Sequence, residues 1–327
     1  MGVHMNDRNA FDVDVVITWV DGNDSALNAK RALFMQGDAT LLDDNIAGTT
    51  RYIDRGEIHW CVRSINKFMP WVRRIFIVTD GQNPNVKSQI PVEIVDHKVI
   101  FRGFEQYLPT FNSLSIEAML WRIPNLSEHF IYFNDDLLVC RNISAEAFFP
   151  EEGHINCHGH EASLSWTKLR YFFKYITGHA CRVNHVKQMM DAAEIAGGDG
   201  LFVRLSHTPH PMLRSRLKEY YEGNQERLVQ NIHNRFRSTE HFRSDELLYM
   251  LLRKEGRLHI IPETDVLMEY MPSPSTKRLE RKLHQITRID SKICFACFGS
   301  LDKATDEIFN EIQKFVSNIL DKYNTQP

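Results

Sequence analysis

Residues His129–Cys140 read HFIYFNDDLLVC. An apolar run, Phe130 to Phe133, stops at Asn134-Asp135-Asp136, and apolar residues resume at once over Leu137 to Val139. Two adjacent carboxylates inside apolar sequence are costly to bury unless a cation meets them. The segment therefore reads as a core strand whose end presents Asp135 and Asp136 to a divalent metal, Mg²⁺ or Mn²⁺. Such cations take oxygen ligands and keep room for substrate phosphates. A strand ending in an ordinary Asn-Asp turn explains the same residues. The motif alone does not choose between the two; the rest of the chain favours the metal.

Upstream, Asp12–Val20 (DVDVVITWV) has the β-branched composition of a buried strand and ends at Asp21-Gly22-Asn23-Asp24. The polar, poorly periodic segment from Ala26 to Arg55 reads as a loop with a short helix. Glu57–Met69 places Ile58, Cys61, Val62, Ile65 and Phe68 on one helical face and is closed by Pro70. Arg74–Thr79 is the next strand and ends at Asp80; Val92–Val95 is another and runs into Asp96. A helix from about Asn112 to Trp121 leads into the segment quoted above. Strands alternating with helices predict an α/β fold with a mostly parallel, Rossmann-like sheet and helices on both faces. In such sheets ligands bind beyond the carboxyl ends of the strands. Four strands ending in acids on one rim suit a metal–nucleotide site, although acids are also common turn residues.

The 327 residues carry 39 basic and 42 acidic side chains, so there is no basic field for nucleic acid. No apolar run approaches the ~20 residues of a bilayer span, so no transmembrane segment is expected. The start, MGVHMNDRNAF, lacks the apolar core of a signal peptide. With six cysteines, this leads to the expectation of a cytoplasmic protein with free thiols. The basic stretch Lys277–Arg288 is the candidate for a peripheral hold on the inner face of a membrane.

After Pro150 the character changes. Helical patterns cover Lys168–Ile176, His185–Ala196, Met212–Phe236 and Asp245–Glu255. Strand-like runs follow at Leu258–Ile261, Val266–Tyr270 and Ile293–Phe298, then a last helix from about Thr305 to Tyr323. We expect one body with a helical addition rather than two independent domains.

Several residues outside the acidic pair could carry chemistry. Ser113 is a candidate N-cap, which leaves Glu117 available to a pocket, and the helix start offers N–H groups to an anion. Ser206–Pro211 (SHTPHP) is a proline-stiffened turn that could hold His207 as a proton acceptor. Arg235, Arg237 and Arg243 suit phosphate oxygens, or a solvated loop. Cys294 and Cys297 read as two thiols of a buried strand rather than a zinc ribbon, which needs a second pair. Cys157, His158, His160, His179, Cys181 and His185 form a denser cluster whose spacings fit no standard zinc motif.

Together these segments resemble the Stealth family. The first block is DVVITWVDGND at Asp14–Asp24. The second runs from Arg63 to Asp136 through RSINKFMPWVRRIFIVTDGQ, LPTFNSLSIE and HFIYFNDDLL. HTPHPM at His207 and NRFRS at Asn234–Ser238 resemble the third block. CFGSLDKAT, around Asp302, resembles the fourth but lacks its usual Asn-Asp ending. Two FRS triplets compete for the family arginine; RFR and the distance to Gly256 favour Arg237 over Arg243.

The resemblance implies a GT-A-like core and a sugar-1-phosphate transferase of capsule or exopolysaccharide synthesis. A UDP-sugar would pass an N-acetylhexosamine-1-phosphate to a hydroxyl of a glycan or glycolipid acceptor, releasing UMP. Capsule-assembly proteins are the implied partners. It further implies metal at Asp135 and Asp136, His207 as base and Arg237 on the phosphates. Asp21, Asp24 and Asp80 would serve the donor, and Asn112, Ser113 and Glu117 the sugar. The implied layout is a nucleotide-sugar and metal-binding α/β core at 12–150. A mainly helical addition at 151–290 would carry His207 and Arg237, and a strand and helix at 291–327 would return to the core. A glycosyltransferase releasing UDP, or a non-catalytic glycan-binding protein, would use the same scaffold.

Overall fold

The structure is a computed structural model that describes residues 11–35, 55–177, 185–263, 266–271 and 276–321. Strand β1 (Val13–Thr18) is followed by helices α1 (Ser25–Met35) and α2 (Glu57–Phe68). Strands β2 (Arg74–Thr79) and β3 (Val92–Asp96) come next, then short helices α3 (His97–Ile100) and α4 (Ser113–Glu117), then β4 (His129–Asn134) and β5 (Leu137–Val139). The second half begins with β6 (Ile155–Ser163), α5 (Leu164–Ile176), α6 (His185–Ile195), β7 (Leu201–Leu205) and β8 (His210–Leu213). It continues with α7 (Arg214–Gly223), α8 (Gln225–Ile232), α9 (Ser244–Lys254), β9 (Leu258–Ile261) and β10 (Leu267–Tyr270). Helix α10 (Thr276–Thr287), β11 (Phe295–Phe298) and α11 (Asp306–Asp321) complete it.

The main sheet has the order β3-β2-β1-β4-β8. Its first four strands are mutually parallel and β8 runs antiparallel along β4. The mostly parallel α/β fold read from the sequence is therefore present, and the carboxyl ends of β1 to β4 lie on one rim. Strands β1, β2 and β4 are almost wholly buried because both faces are covered, whereas the edge strand β3 carries Glu93 and an exposed Ile94. Phe130, Ile131 and Phe133 of β4 are wholly buried, and each such side chain contributes about 1.5–3 kcal/mol.

The segment 129–140 does not stay in one sheet. β4 belongs to the main sheet, whereas β5 pairs antiparallel with β11 in a second sheet of order β10-β11-β5. Asn134-Asp135-Asp136 is the corner where the chain leaves one sheet for the other. A third sheet has the order β7-β6-β9.

Periodicity gave no sign of β6, β7 or β8. The helical pattern expected over Met212–Phe236 is a strand end followed by two helices. Met212 lies in β8, and the backbone leaves helical geometry at Asn224, after Gly223. Pro211 is tolerated in β8 because that strand is the sheet edge. Helix α11 packs on α2: Lys67 Nζ donates to the Ile319 carbonyl at 2.9 Å, and Arg63 pairs with Asp321 at 2.9 Å. Lys67 thus satisfies a carbonyl that a helix end leaves open.

Candidate active site

The rim above β4 gathers most of the expected site. β8 pairs with β4 through His210 opposite Tyr132, so the preceding turn brings His207 to where β4 ends. His207 Nε2 lies 2.9 Å from Asn134 Nδ2, and its Nδ1 faces Glu269 Oε1 of β10 at 3.8 Å. With the Asn134 amide as donor, Nε2 accepts and Nδ1 carries the proton toward Glu269. Asn134 Oδ1 is 2.9 Å from the Tyr132 hydroxyl. That hydroxyl in turn lies 3.0 Å from Thr18 Oγ1 and 3.3 Å from Glu117 Oε1. One chain of polar contacts therefore runs from Glu117 on α4 through Tyr132 and Asn134 to His207.

Asp136 is the point at which a cation fits. Its Oδ2 accepts from Cys297 Sγ at 3.5 Å, while Oδ1 is buried with no hydrogen-bond partner among the described residues. Donor atoms of Asp136, His207 and Cys297 lie within 4.8 Å of one another, the only such His/Cys/Asp/Glu group among the described residues. A buried carboxylate oxygen lacking a donor is unfavourable unless a cation meets it. Asp135 sits beside it in the same corner, half-buried. Burial, reinforced by the carboxylate of Asp136, pushes the Cys297 thiol well above its ordinary range. The two cysteines do not share a strand: Cys297 lies in β11, whereas Cys294 precedes it and donates to the Lys292 carbonyl.

The arginines separate into two roles. Arg237 Nη2 donates to Ser113 Oγ at 3.3 Å, at the start of α4. Arg243 is part-buried and forked onto Asp245, with Nε to Oδ1 at 2.9 Å. Burial works to raise the Asp245 carboxyl, but Arg243 and His210 outweigh it and hold it at about 2. Glu117 lies between these charges. Burial, with Asp245, raises its carboxyl above the ordinary range against the pull of Arg243 and Arg237.

The capping residue of α4 is Asn112, not Ser113 as expected: the Asn112 side chain accepts from the Leu114 N–H at 3.2 Å. Asn112 is also wholly buried, and its Nδ2 lies 3.0 Å from Ser115 Oγ and 2.9 Å from His241 Nε2. Its polar atoms serve the fold, which leaves Ser113 and Glu117 of that group nearer the rim. The helix is also shorter than its periodicity suggested, because Leu120–Arg122 is a separate 3-10 turn.

Asp21, Asp24 and Asp80 form a second cluster, at the ends of β1 and β2. Gln82 joins it: its Nε2 donates to Asp24 Oδ2 at 2.9 Å, and its Oε1 accepts from the Asp21 N–H at 2.9 Å. The Gln82 contact, with the Ala26 N–H, holds the Asp24 carboxyl below its ordinary range. Asp80 pairs with Lys30 at 2.6 Å. The sequence reading missed Thr18, Tyr132, Gln82, Lys30 and Glu269. Of these, Gln82 and Tyr132 each stood two residues from one already singled out, Asp80 and Asn134.

The remaining candidates are dispersed. Cys157 and His158 are buried in β6, while His160 faces Glu263 at 3.5 Å; His179 and Cys181 lie outside the described residues. Asp302 sits in a 3-10 turn with a buried oxygen. Among the described residues no helix is long and apolar enough to cross a membrane.

Fold and rim together define an α/β protein with a polar site at the carboxyl ends of parallel strands. Residues 11–39 match Stealth protein conserved region 1, and residues 51–157 match conserved region 2. Both regions are defined on Stealth proteins, and these two stretches of the chain are similar to them. It is 42% identical over 169 residues to the capsular polysaccharide phosphotransferase cps12A of Actinobacillus pleuropneumoniae, covering 50% of this chain and 44% of that one. It is 32% identical over 233 residues to the capsular polysaccharide phosphotransferase LcbA of Aeromonas hydrophila, covering 70% and 62%. The chain spans about half the length of the curated relatives it matches. Among solved structures, the galactosyltransferase LgtC is similar with a TM-score of 0.44 and 12% identity, over 96% of this chain and 97% of that one.

Proposed function

We propose that this protein is a capsule or exopolysaccharide phosphotransferase. It transfers an N-acetylhexosamine-1-phosphate from a UDP-sugar to a hydroxyl of a glycan or glycolipid acceptor. The observation that carries this reading is the continuous polar chain Glu117–Tyr132–Asn134–His207, which ends in the group formed by His207, Asp136 and Cys297. The named activity of relatives such as cps12A supports the reaction class.

In the proposed reaction the acceptor oxygen attacks the phosphorus that bears the sugar. The bond from that phosphorus to the bridging oxygen breaks, and UMP departs. The acceptor proton passes to His207 Nε2, with the hydroxyl taking the place of the Asn134 amide. Glu269, facing Nδ1, favours the imidazolium that results. Arg237, held at Ser113, binds the transferring phosphate with its fork. Ser113 and Glu117 face the sugar, while Asp21, Asp24 and Asp80 border the nucleotide side. Asp136 and Asp135 would hold Mg²⁺ or Mn²⁺, whose charge when bound offsets that on the phosphates. Placement in the cytoplasm, with capsule-assembly proteins as partners, belongs to the same proposal.

The test is incubation with a panel of UDP-sugars and acceptor glycans, with the released nucleotide read by chromatography. UMP supports the reading. Release of UDP would instead mean that the sugar–phosphate bond breaks, as in an ordinary glycosyltransferase. Binding without nucleotide release would leave a glycan-binding protein.

A further inference from the structure

Helix α5 (Leu164–Ile176), LSWTKLRYFFKYI, leaves an apolar face uncovered. Trp166 is 61% exposed, Leu169 44%, Phe172 57%, Phe173 54% and Ile176 58%. At about 100° per residue these five positions fall within an arc of about 120°. Buried Leu164 and partly covered Thr167 and Tyr171 lie on the opposite side. The helix is therefore attached by one side and turns its aromatic side outward. A helix of 13 residues with so little packed surface is marginal in water. A covering surface would stabilise it.

Charge identifies that surface. The helix contains Lys168, Arg170 and Lys174 and no acid, and no acidic residue occurs between Glu161 and Asp191. Lys168 is ion-paired with Glu194 of α6, while Arg170 and Lys174 are exposed. On the helix circumference Arg170 and Lys174 follow Trp166, and Lys168 borders Phe172, so cations flank the aromatic arc. An apolar face rich in Trp and Phe with basic edges suits the boundary between water and an anionic bilayer. The rings enter the headgroup region and the cations stay with the phosphates. The basic helix α10 differs, because Leu279, Leu283 and Ile286 are already buried in the chain. We propose that α5 docks in the plane of an anionic membrane surface, aromatic face inward.

The full chain is tested by flotation with vesicles of phosphatidylethanolamine and phosphatidylglycerol, and with vesicles of phosphatidylcholine alone. Wild type should float with the first, and less as salt rises. The triple variant Trp166→Ser, Phe172→Ser, Phe173→Ser should lose partitioning by about tenfold or more. Its melting temperature should not change, since these rings are exposed. Arg170→Gln with Lys174→Gln should abolish the preference for anionic vesicles. If the triple variant melts lower than wild type, the single Trp166→Ser and Phe172→Ser proteins are read the same way. Failure of wild type to float, or equal flotation of wild type and ring variants, overturns the proposal. So does a wild-type dimer that binds no vesicles and is dissolved by the ring substitutions, which would make this face a protein contact.

Discussion

Arg243 and Arg237 are the same side chain in two situations. Arg243, with 13% of its side chain exposed, is forked onto Asp245, a carboxylate with 1% of its side chain exposed. Arg243→Ala would leave that charge buried and unpaired, at a cost of about 3–5 kcal/mol. Urea denaturation should read this loss whether or not substrate is present. Arg237 is half-buried at the mouth of α4. Arg237→Ala should leave the urea midpoint nearly unchanged and weaken donor binding, with Arg237→Lys restoring it only in part because an ammonium lacks the fork. His207→Ala should lower turnover by about two to four powers of ten. Calorimetry should find UDP-sugar affinity little changed, because the proton His207 takes belongs to the acceptor. A large loss of donor affinity in His207→Ala would move His207 from base to ligand. Asp136→Asn should abolish metal-dependent turnover, and full activity in excess chelator would end the metal role of this corner.

At the scale of elements, α4 is five residues long and cannot stand on its own hydrogen bonds. Its position rests on Asn112, which caps the helix and also reaches Ser115 and His241. Asn112→Ala should cost about 0.5–2 kcal/mol for the cap alone, and more if the buried partners are left unsatisfied. Since Ser113 and Glu117 ride on this helix, turnover should fall with stability, and Asn112→Ser should restore part of both. Parallel measurement of denaturation midpoint and nucleotide release checks this coupling. The corner at Asn134–Asp136 depends in the same way on β11, which supplies both the pairing for β5 and the thiol beside Asp136. A chain lacking residues 293–327 should therefore show no cooperative melting transition by circular dichroism.

At the scale of the whole molecule, buried histidines tie folding to pH. Burial lowers His97 and His241 to about 4 and His210 to about 3. These folded values lie below the ordinary 6.5, so the unfolded chain takes up protons first as pH falls. Their contribution is complete above 6.5 and is lost progressively as pH drops toward the folded values. Glu117 and Glu246 work in the opposite sense, since burial raises both carboxyls. The clean readout is consequently a difference. Melting temperature should fall less between about pH 7 and pH 5 in His241→Gln than in wild type. Equal losses would remove His241 from the titration.

Strands β1, β2 and β4 were legible in the sequence because buried parallel strands are near-continuous apolar runs, and the half-exposed edge strand β3 because its β-branched residues run into Asp96. Helices α2 and α11 were legible because one apolar stripe at helical spacing is what their burial demands. Asp135, Asp136, His207 and Arg237 could be singled out as candidates from local chemistry and family resemblance. Local pattern could not show β6 or β8. Polar residues interrupt the first, and a proline sits in the second, so neither has the periodicity of a half-buried strand. Nor could it show that Asn112 rather than Ser113 caps α4, because that choice is reinforced by His241, 129 residues away. Tyr132 meets Glu117, Asn134 meets His207, and Asp136 meets Cys297, across separations of 15, 73 and 161 residues. Periodicity reports only which side of an element is buried. Which polar groups then face one another is set by how sheets and helices pack, and that was decided by the tertiary structure.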